Sequence, residues 1–237
     1  MLHIDSLSYQ ILKEVNFSLP LNQNLTILGA NGSGKTTLAK ALCNLIPNKS
    51  VTFDNKTLDQ ISPKKRAQII NYVPAKLNIY DEYLTVLDYL RLNVIDEKNF
   101  TDFDIILNVL DMAHLKYSRC VNLSSGESSL LMVGGAMIHN PQITVLDEPT
   151  ANLDQEKKVK LYQILKNSSA FRNKIIITHD LNLAYQLDYT ILYLDKGSVR
   201  FHGECRSFFQ SDQIKSCFGN YVKNIDGNYM VNYNETV

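Results

Sequence analysis

The sequence predicts an α/β fold: buried parallel strands alternating with helices that cover both faces of their sheet, an antiparallel β layer at the start and a helical insert in the middle. Three observations predict it. Leu25-Thr26-Ile27-Leu28 and Ile143-Thr144-Val145-Leu146 are short, nearly unbroken apolar runs, as expected of strands with no solvent-facing side. From Ile143 onward such runs alternate with stretches of helical period. Near the start, apolar and polar positions instead alternate, the mark of half-buried strands.

Leu2-His3-Ile4, Leu7-Ser8-Tyr9 and Val15-Asn16-Phe17-Ser18-Leu19 are expected as short antiparallel strands, the last stopped by Pro20. Leu25 to Leu28 then leads into Gly29-Ala30-Asn31-Gly32-Ser33-Gly34-Lys35-Thr36-Thr37, which fits Gly-x-x-x-x-Gly-Lys-Ser/Thr without a gap, and a helix opens over Thr36 to Asn44. A strand before and a helix after distinguish this motif from a mere glycine-rich turn. The glycines let backbone N–H groups converge on phosphate oxygens, and Lys35 adds a point charge for the β- and γ-phosphates. Thr36 offers a hydroxyl to Mg²⁺, and the helix dipole faces the same anion.

Pro47-Asn48-Lys49-Ser50 breaks the chain, and Val51-Thr52-Phe53 with Asp54-Asn55 reads as a strand and turn. Ser62-Pro63 starts a short helix through Ala67, and Ile69 to Val73 returns as a strand ended by Pro74. Val86, Leu87 and Leu90, then Ile105, Ile106, Val109 and Leu110, recur at helical spacing and form the insert. A helix over Glu127 to Ile138, the strand from Ile143, a helix over Gln155 to Asn167, strand Ile175 to Ile177, helix Leu181 to Gln186 and strand Thr190 to Leu194 continue the alternation. Val199-Arg200-Phe201 gives a further strand, and Asp226-Gly227-Asn228 a closing hairpin.

At 237 residues the chain supports one main domain carrying a subdomain. Lys plus Arg and Asp plus Glu both number 24, so no net field draws it to nucleic acid or to an acidic membrane surface. Cys43, Cys120, Cys205 and Cys217 show neither a C-x-x-C pair nor metal-ligand spacing, which suits reduced thiols in a cytosolic protein. The start lacks a basic and then apolar leader, and no apolar run approaches the length of a membrane span. Membrane attachment is therefore expected only through a partner.

The run from Ile143 to Leu146 ends in Asp147-Glu148, at the edge where parallel sheets place ligands. The pair suits a division of labour, with Asp147 holding the metal through its water shell and Glu148 acting as general base toward the attacking water. Thr178-His179-Asp180 follows the next apolar strand, and His179 is placed to reach the γ-phosphate.

With these residues in this order, the chain resembles the ATP-binding subunit of an ABC transporter over nearly its whole length. Asp147-Glu148-Pro149-Thr150-Ala151-Asn152-Leu153-Asp154 resembles the family's joined Walker B and D-loop, Leu123-Ser124-Ser125-Gly126-Glu127 its signature motif, and Thr178-His179 its switch histidine. Tyr9 stands where the family places an aromatic residue that stacks on adenine. The resemblance implies the ABC ATPase architecture: a P-loop nucleotide-binding core with an antiparallel β subdomain (1–74 and 140–237) and a helical subdomain with the signature helix (about 75–139).

ATP and Mg²⁺ are implied as ligands, with Asn31, Gly32, Ser33, Gly34, Lys35, Thr36 and Thr37 around the phosphates. Thr36 and Asp147 fall to the metal, and Glu148, His179 and Lys35 to hydrolysis. The resemblance further implies that Ser124 and Gly126 of a second copy complete the site. ATP then glues a head-to-tail dimer, and its hydrolysis moves membrane-spanning permease subunits between two access states. Such a subunit works in the cytoplasm, on the inner face of the cell membrane, with a substrate-binding protein as an indirect partner.

Two positions depart from the family. Ala75 stands where a glutamine is usual, and Ser125-Gly126 where the signature has a double glycine. Ala75 removes an expected contact to Mg²⁺ and water and a link to the membrane subunit, so slow hydrolysis is expected unless a neighbour compensates. Lys76 and Asn78 are the nearest polar candidates, and of these only Asn78 has an oxygen for Mg²⁺. Ser125 brings a Cβ that can crowd the phosphate approach. The chain's lack of a fused membrane domain resembles importer subunits, and the stretch from Asp54 to Pro74 resembles those serving iron-siderophore, haem and cobalamin importers. A regulatory ABC-type protein with weak turnover is the alternative that Ala75 permits. A P-loop kinase or GTPase leaves Leu123 to Glu127 unexplained and lacks an Asn-Lys-x-Asp guanine-reading sequence.

Overall fold

The computed structural model describes residues 1–79, 81–95, 102–167 and 171–232. Strands β1 (Leu2–Tyr9) and β2 (Leu12–Leu19) form a hairpin, and β3 (Leu25–Leu28) passes through the glycine loop into α1 (Lys35–Leu42). Then follow β4 (Val51–Phe53), β5 (Lys56–Thr57), α2 (Pro63–Ile69) and β6 (Ile70–Val73). Helices α3 (Val86–Leu92), α4 (Phe103–Val109) and α5 (Ser125–His139) make the insert. Alternation resumes with β7 (Ile143–Asp147), α6 (Gln155–Asn167), β8 (Lys174–Thr178), α7 (Leu181–Leu187), β9 (Thr190–Asp195) and β10 (Ser198–Gly203). Two short helices, α8 (Cys205–Phe208) and α9 (Ser211–Phe218), precede the hairpin of β11 (Val222–Ile225) and β12 (Asn228–Val231).

Among the described residues the main sheet runs β10, β9, β3, β8, β7, β6. All its neighbours pair in parallel except β10, which returns antiparallel along β9. A second, antiparallel sheet runs β2, β1, β4, β5. Strands adjacent in space but distant in sequence therefore bring the ends of β3, β7 and β8 to one carboxyl edge.

The unbroken apolar runs have two burial partners. In β7, Ile143 and Val145 join Leu38 and Leu42 of α1 and the inner residues Ile4, Val15 and Phe17 of the antiparallel sheet. Leu146, on the opposite face, packs with Leu131 of α5 and with Leu161 and Leu165 of α6. The same parity holds in β9, where Leu192 and Leu194 face α1 while Ile191 and Tyr193 face Phe208 of α8. A slip of one residue would exchange side chains between differently shaped cores, so burial on both faces fixes the register. The insert is not a detached appendage: Val86, Leu90, Ile106 and Leu130 share one core with Leu146 and Ile176 of the sheet.

Several boundaries differ from the sequence reading for identifiable reasons. Residues 2–4 and 7–9 lie in one strand, because pairing with β2 shifts between Ile4 and Leu7, with Ser6 at φ 48°. The bulge absorbs Asp5-Ser6 and returns Leu7 to the buried face. Helix α5 starts at Ser125 instead of Glu127, since Ser124 and Glu127 cap it reciprocally. Helices α8 and α9 were not expected. Helices this short are not stable by propensity alone, and here Phe208 and Phe209 are fixed by rings of Tyr193, Phe201, Tyr185 and Tyr229. The closing hairpin forms as predicted, turning at Asp226 (φ 50°) and Gly227 (φ 81°).

Candidate nucleotide site

The loop after β3 is packed down on two sides. A Cβ at Gly29 would fall 2.3 Å from the carbonyl oxygen of Leu194, so only glycine lets the loop approach β9 this closely. Gly34 caps α1 at φ 104°, a left-handed conformation, beside Leu12 of the first hairpin. Asn31 and Gly32 form the exposed crest, Ser33 is buried, and Thr37 is half-buried in the first turn of α1. Lys35 is also buried, its Nζ donating to the carbonyls of Gly29 (2.7 Å) and Ala30 (3.0 Å). Burial pulls its pKa below the ordinary lysine value, opposed by the charges of Glu148 and Asp147.

Asp147 ends β7 in the floor of the site, only 3% exposed. Its Oδ2 accepts hydrogen bonds from the Thr36 hydroxyl (2.8 Å) and from the Tyr72 hydroxyl (2.8 Å). Oδ1 is buried with no hydrogen-bond partner among the described residues. A carboxylate oxygen left over beside a threonine hydroxyl is a donor set that suits Mg²⁺, a hard cation that takes one or two protein oxygens and keeps waters. Burial and the Asp147 charge push the Tyr72 phenol above its usual pKa, so it stays a protonated donor.

Glu148 turns the chain at φ 48°, and its amide is pinned by the Ile177 carbonyl of β8 (2.8 Å). Consecutive carboxylates thereby acquire different partners. Oε2 of Glu148 accepts from Nδ1–H of His179 at 2.9 Å, and the His179 side chain is 60% exposed. Thr178 and Asp180 brace the histidine from both sides, since Thr178 Oγ1 accepts from the Asp180 amide and Asp180 caps α7.

The structure thus gathers Lys35, Thr36, Asp147, Glu148 and His179 at one sheet edge, with Thr36 bonded to Asp147, His179 bonded to Glu148, and Lys35 within the field of both carboxylates. Tyr9 is exposed at the end of β1, on the hairpin whose tip residues Ile11 and Leu12 reach Gly34. Ser124 and Gly126 are not part of that group. Ser124 Oγ accepts from the Glu127 amide (3.2 Å) while Glu127 Oε2 accepts from the Ser124 amide (2.8 Å), and the bond from the Ser124 amide leads in holding the Glu127 carboxyl below its usual pKa. Gly126 lies against Lys157 and the Asn152 carbonyl.

At the other departure, Ala75 offers only backbone, and its carbonyl accepts from Asn152 Nδ2 at 3.2 Å. Lys76 and Asn78 are exposed, and a hydroxyl that does reach Asp147 comes from Tyr72. Sequence reasoning missed Tyr72. The available signal was parity, because Tyr72 pairs with Val145 and so shares a face with Asp147 two residues on, but that requires knowing that β6 adjoins β7.

Among the described residues no helix is long and apolar enough to cross a membrane. Residues 12–151 match the ABC transporter family. An uncharacterized ABC transporter ATP-binding protein of Methanocaldococcus jannaschii is 32% identical over 236 residues, covering 93% of this chain and 91% of that protein. The zinc import ATP-binding protein ZnuC of Buchnera aphidicola subsp. Schizaphis graminum is 31% identical, covering 92% and 88%. The chain spans only 51% and 37% of the length of two other similar proteins. In fold it is similar to CbiO1 of Clostridium perfringens, part of the ABC transporter complex CbiONQ, at 24% identity and a TM-score of 0.73 over 91% of this chain and 92% of that one. The chain belongs to the ABC transporter family, as an ATP-binding and ATP-hydrolysing subunit.

Proposed function

We propose that the chain powers a metal importer, whose cargo is a metal ion or a metal chelate such as an iron-siderophore, haem or cobalamin. The observation that carries the cargo reading is the similarity to a zinc import subunit across 92% of the chain. Membrane-spanning permease subunits hold the protein at the inner face of the membrane, and a substrate-binding protein delivers the cargo to them.

Within the site, Lys35 exchanges its two loop carbonyls for the β- and γ-phosphates, and the backbone N–H groups from Asn31 to Thr37 enclose them. Tyr9 supplies a ring for the adenine. Mg²⁺, when held by Thr36 and Asp147, neutralises charge on the phosphates. Glu148 takes a proton from the water whose oxygen attacks the γ-phosphorus, as the bond to the ADP oxygen breaks. His179, bonded to Glu148 and itself exposed, keeps that carboxylate aimed and reaches for the γ-phosphate when ATP is bound. Ser124 and Gly126 act on the ATP of a second copy, which accounts for their separation from Lys35.

Co-purification with the membrane subunit, followed by reconstitution into vesicles, tests this reading. Zinc, ferric siderophore, haem and cobalamin are offered in turn. ATP-dependent uptake of one of them, with turnover stimulated by the membrane subunit, is expected. Ala75 favours one competing reading, a regulatory ABC protein, and slow turnover that no membrane subunit stimulates would support it instead.

A further inference from the structure

We propose that Tyr72 is a positioning residue of the nucleotide site, holding the Asp147 carboxylate by one oxygen so that the other stays available to the magnesium shell. The inference rests on the reading that MgATP binds at this edge. Strand β6 lies parallel to β7, with Tyr72 opposite Val145. The pleat then directs Tyr72 and Asp147 to the same face, the one covered by α1. From α1 comes Thr36, whose hydroxyl lies 2.8 Å from the oxygen that Tyr72 also reaches at 2.8 Å. A strand and a helix thus grip a single carboxylate oxygen, and Oδ1 is left buried and unpartnered among the described residues.

The two grips are not equivalent. Thr36 has a second task, because its oxygen is itself a candidate metal ligand. Among the described residues the Tyr72 hydroxyl has no second hydrogen bond, so its bond to Asp147 is the one that a bound metal need not rearrange. Ala75, two residues beyond the end of β6, contributes only a carbonyl, already engaged by Asn152. What this strand gives the site passes through the Tyr72 hydroxyl.

Tyr72→Phe in the full chain removes one oxygen and keeps the ring. Two readouts apply: the Mg²⁺ dependence of turnover at saturating ATP, and binding of a fluorescent ATP analogue in excess EDTA. The half-saturating Mg²⁺ concentration should rise roughly tenfold, as for loss of a partner that orients a metal ligand. Analogue binding in EDTA should be unchanged. In an Asp147→Asn background, Tyr72→Phe should shift the Mg²⁺ requirement no further. Unchanged Mg²⁺ dependence overturns the proposal. So does equal weakening with and without Mg²⁺, or failure to fold, either of which assigns the hydroxyl to packing alone. A native protein that shows no MgATP binding at all would instead overturn the underlying assignment of the site.

Discussion

The loop from Gly29 to Gly34 and the start of α5 both present a helix N-terminus, yet they are held in opposite ways. The loop depends on remote chain: Leu194 closes on Gly29, the Gly197 amide donates to Ser33, and the Gly197 carbonyl in turn accepts from Lys13. The α5 start depends on itself, through the reciprocal bonds of Ser124 and Glu127 three residues apart. The first is therefore assembled only when the whole sheet folds, with Thr36 already bonded to Asp147 and Lys35 held by the loop's own carbonyls. The second is complete as a helix cap but, among the described residues, joined to no phosphate-binding group of its own chain. A helix end whose cap is satisfied locally can be presented outward, and this is the property a surface needs if it is to finish a site on another copy.

The two regions should respond differently to substitution. Glu148→Gln should lower turnover by about 10²–10⁴-fold, the range lost with a general base, while ATP binding persists because an amide keeps the shape. Steady-state hydrolysis beside a nucleotide-binding titration checks both halves of that statement. Lys35→Ala should weaken ATP binding by about 10–100-fold, the worth of a hydrogen bond to a charged group. Unchanged affinity would remove the loop from the site. On the other side, Ser124→Ala should cost roughly 1 kcal/mol of stability through the lost cap. ATP binding by the single chain should stay intact, and ATP-dependent dimerisation should weaken. Should single-chain ATP affinity fall as it does for Lys35→Ala, the two regions are not separate.

Smaller effects sharpen the picture. Ala75→Gln should leave ATP affinity near that of the native chain and speed hydrolysis a fewfold, because a glutamine adds an oxygen for the metal and an amide for water. The replacement of all four cysteines by serine should leave turnover standing. Cys43, Cys120 and Cys205 are buried free thiols, and burial pushes Cys120 up to about 11 and Cys205 up to about 12. Loss of activity in a folded, ATP-binding cysteine-free variant would show that one of them does more than pack.

What the sequence disclosed and what it withheld divide along the same line as the two regions. Gly29 to Thr37, Asp147-Glu148 and His179 were legible because each is a contiguous segment at the end of an apolar strand, so local geometry nearly dictates its placement. Their mutual contacts were not. The bond from Thr36 to Asp147 spans 111 residues and that from Tyr72 spans 75, and neither follows without the strand order. The bulge at Ser6 was hidden because two alternating runs separated by polar residues look the same whether the strand breaks or shifts register. Helices α8 and α9 were hidden because aromatic packing, not periodicity, makes them helical.

The central claim, that a second copy completes the ATP site, is tested most directly by the mass of Glu148→Gln in solution. Light scattering during size-exclusion chromatography would compare that variant without nucleotide, with MgATP, and with MgATP after Ser124→Ala is added. The account predicts a monomer without nucleotide, a dimer of twice the 27.0 kDa chain with MgATP, and reduced dimer in the double variant. A variant that binds MgATP to saturation and still elutes as a monomer would contradict it.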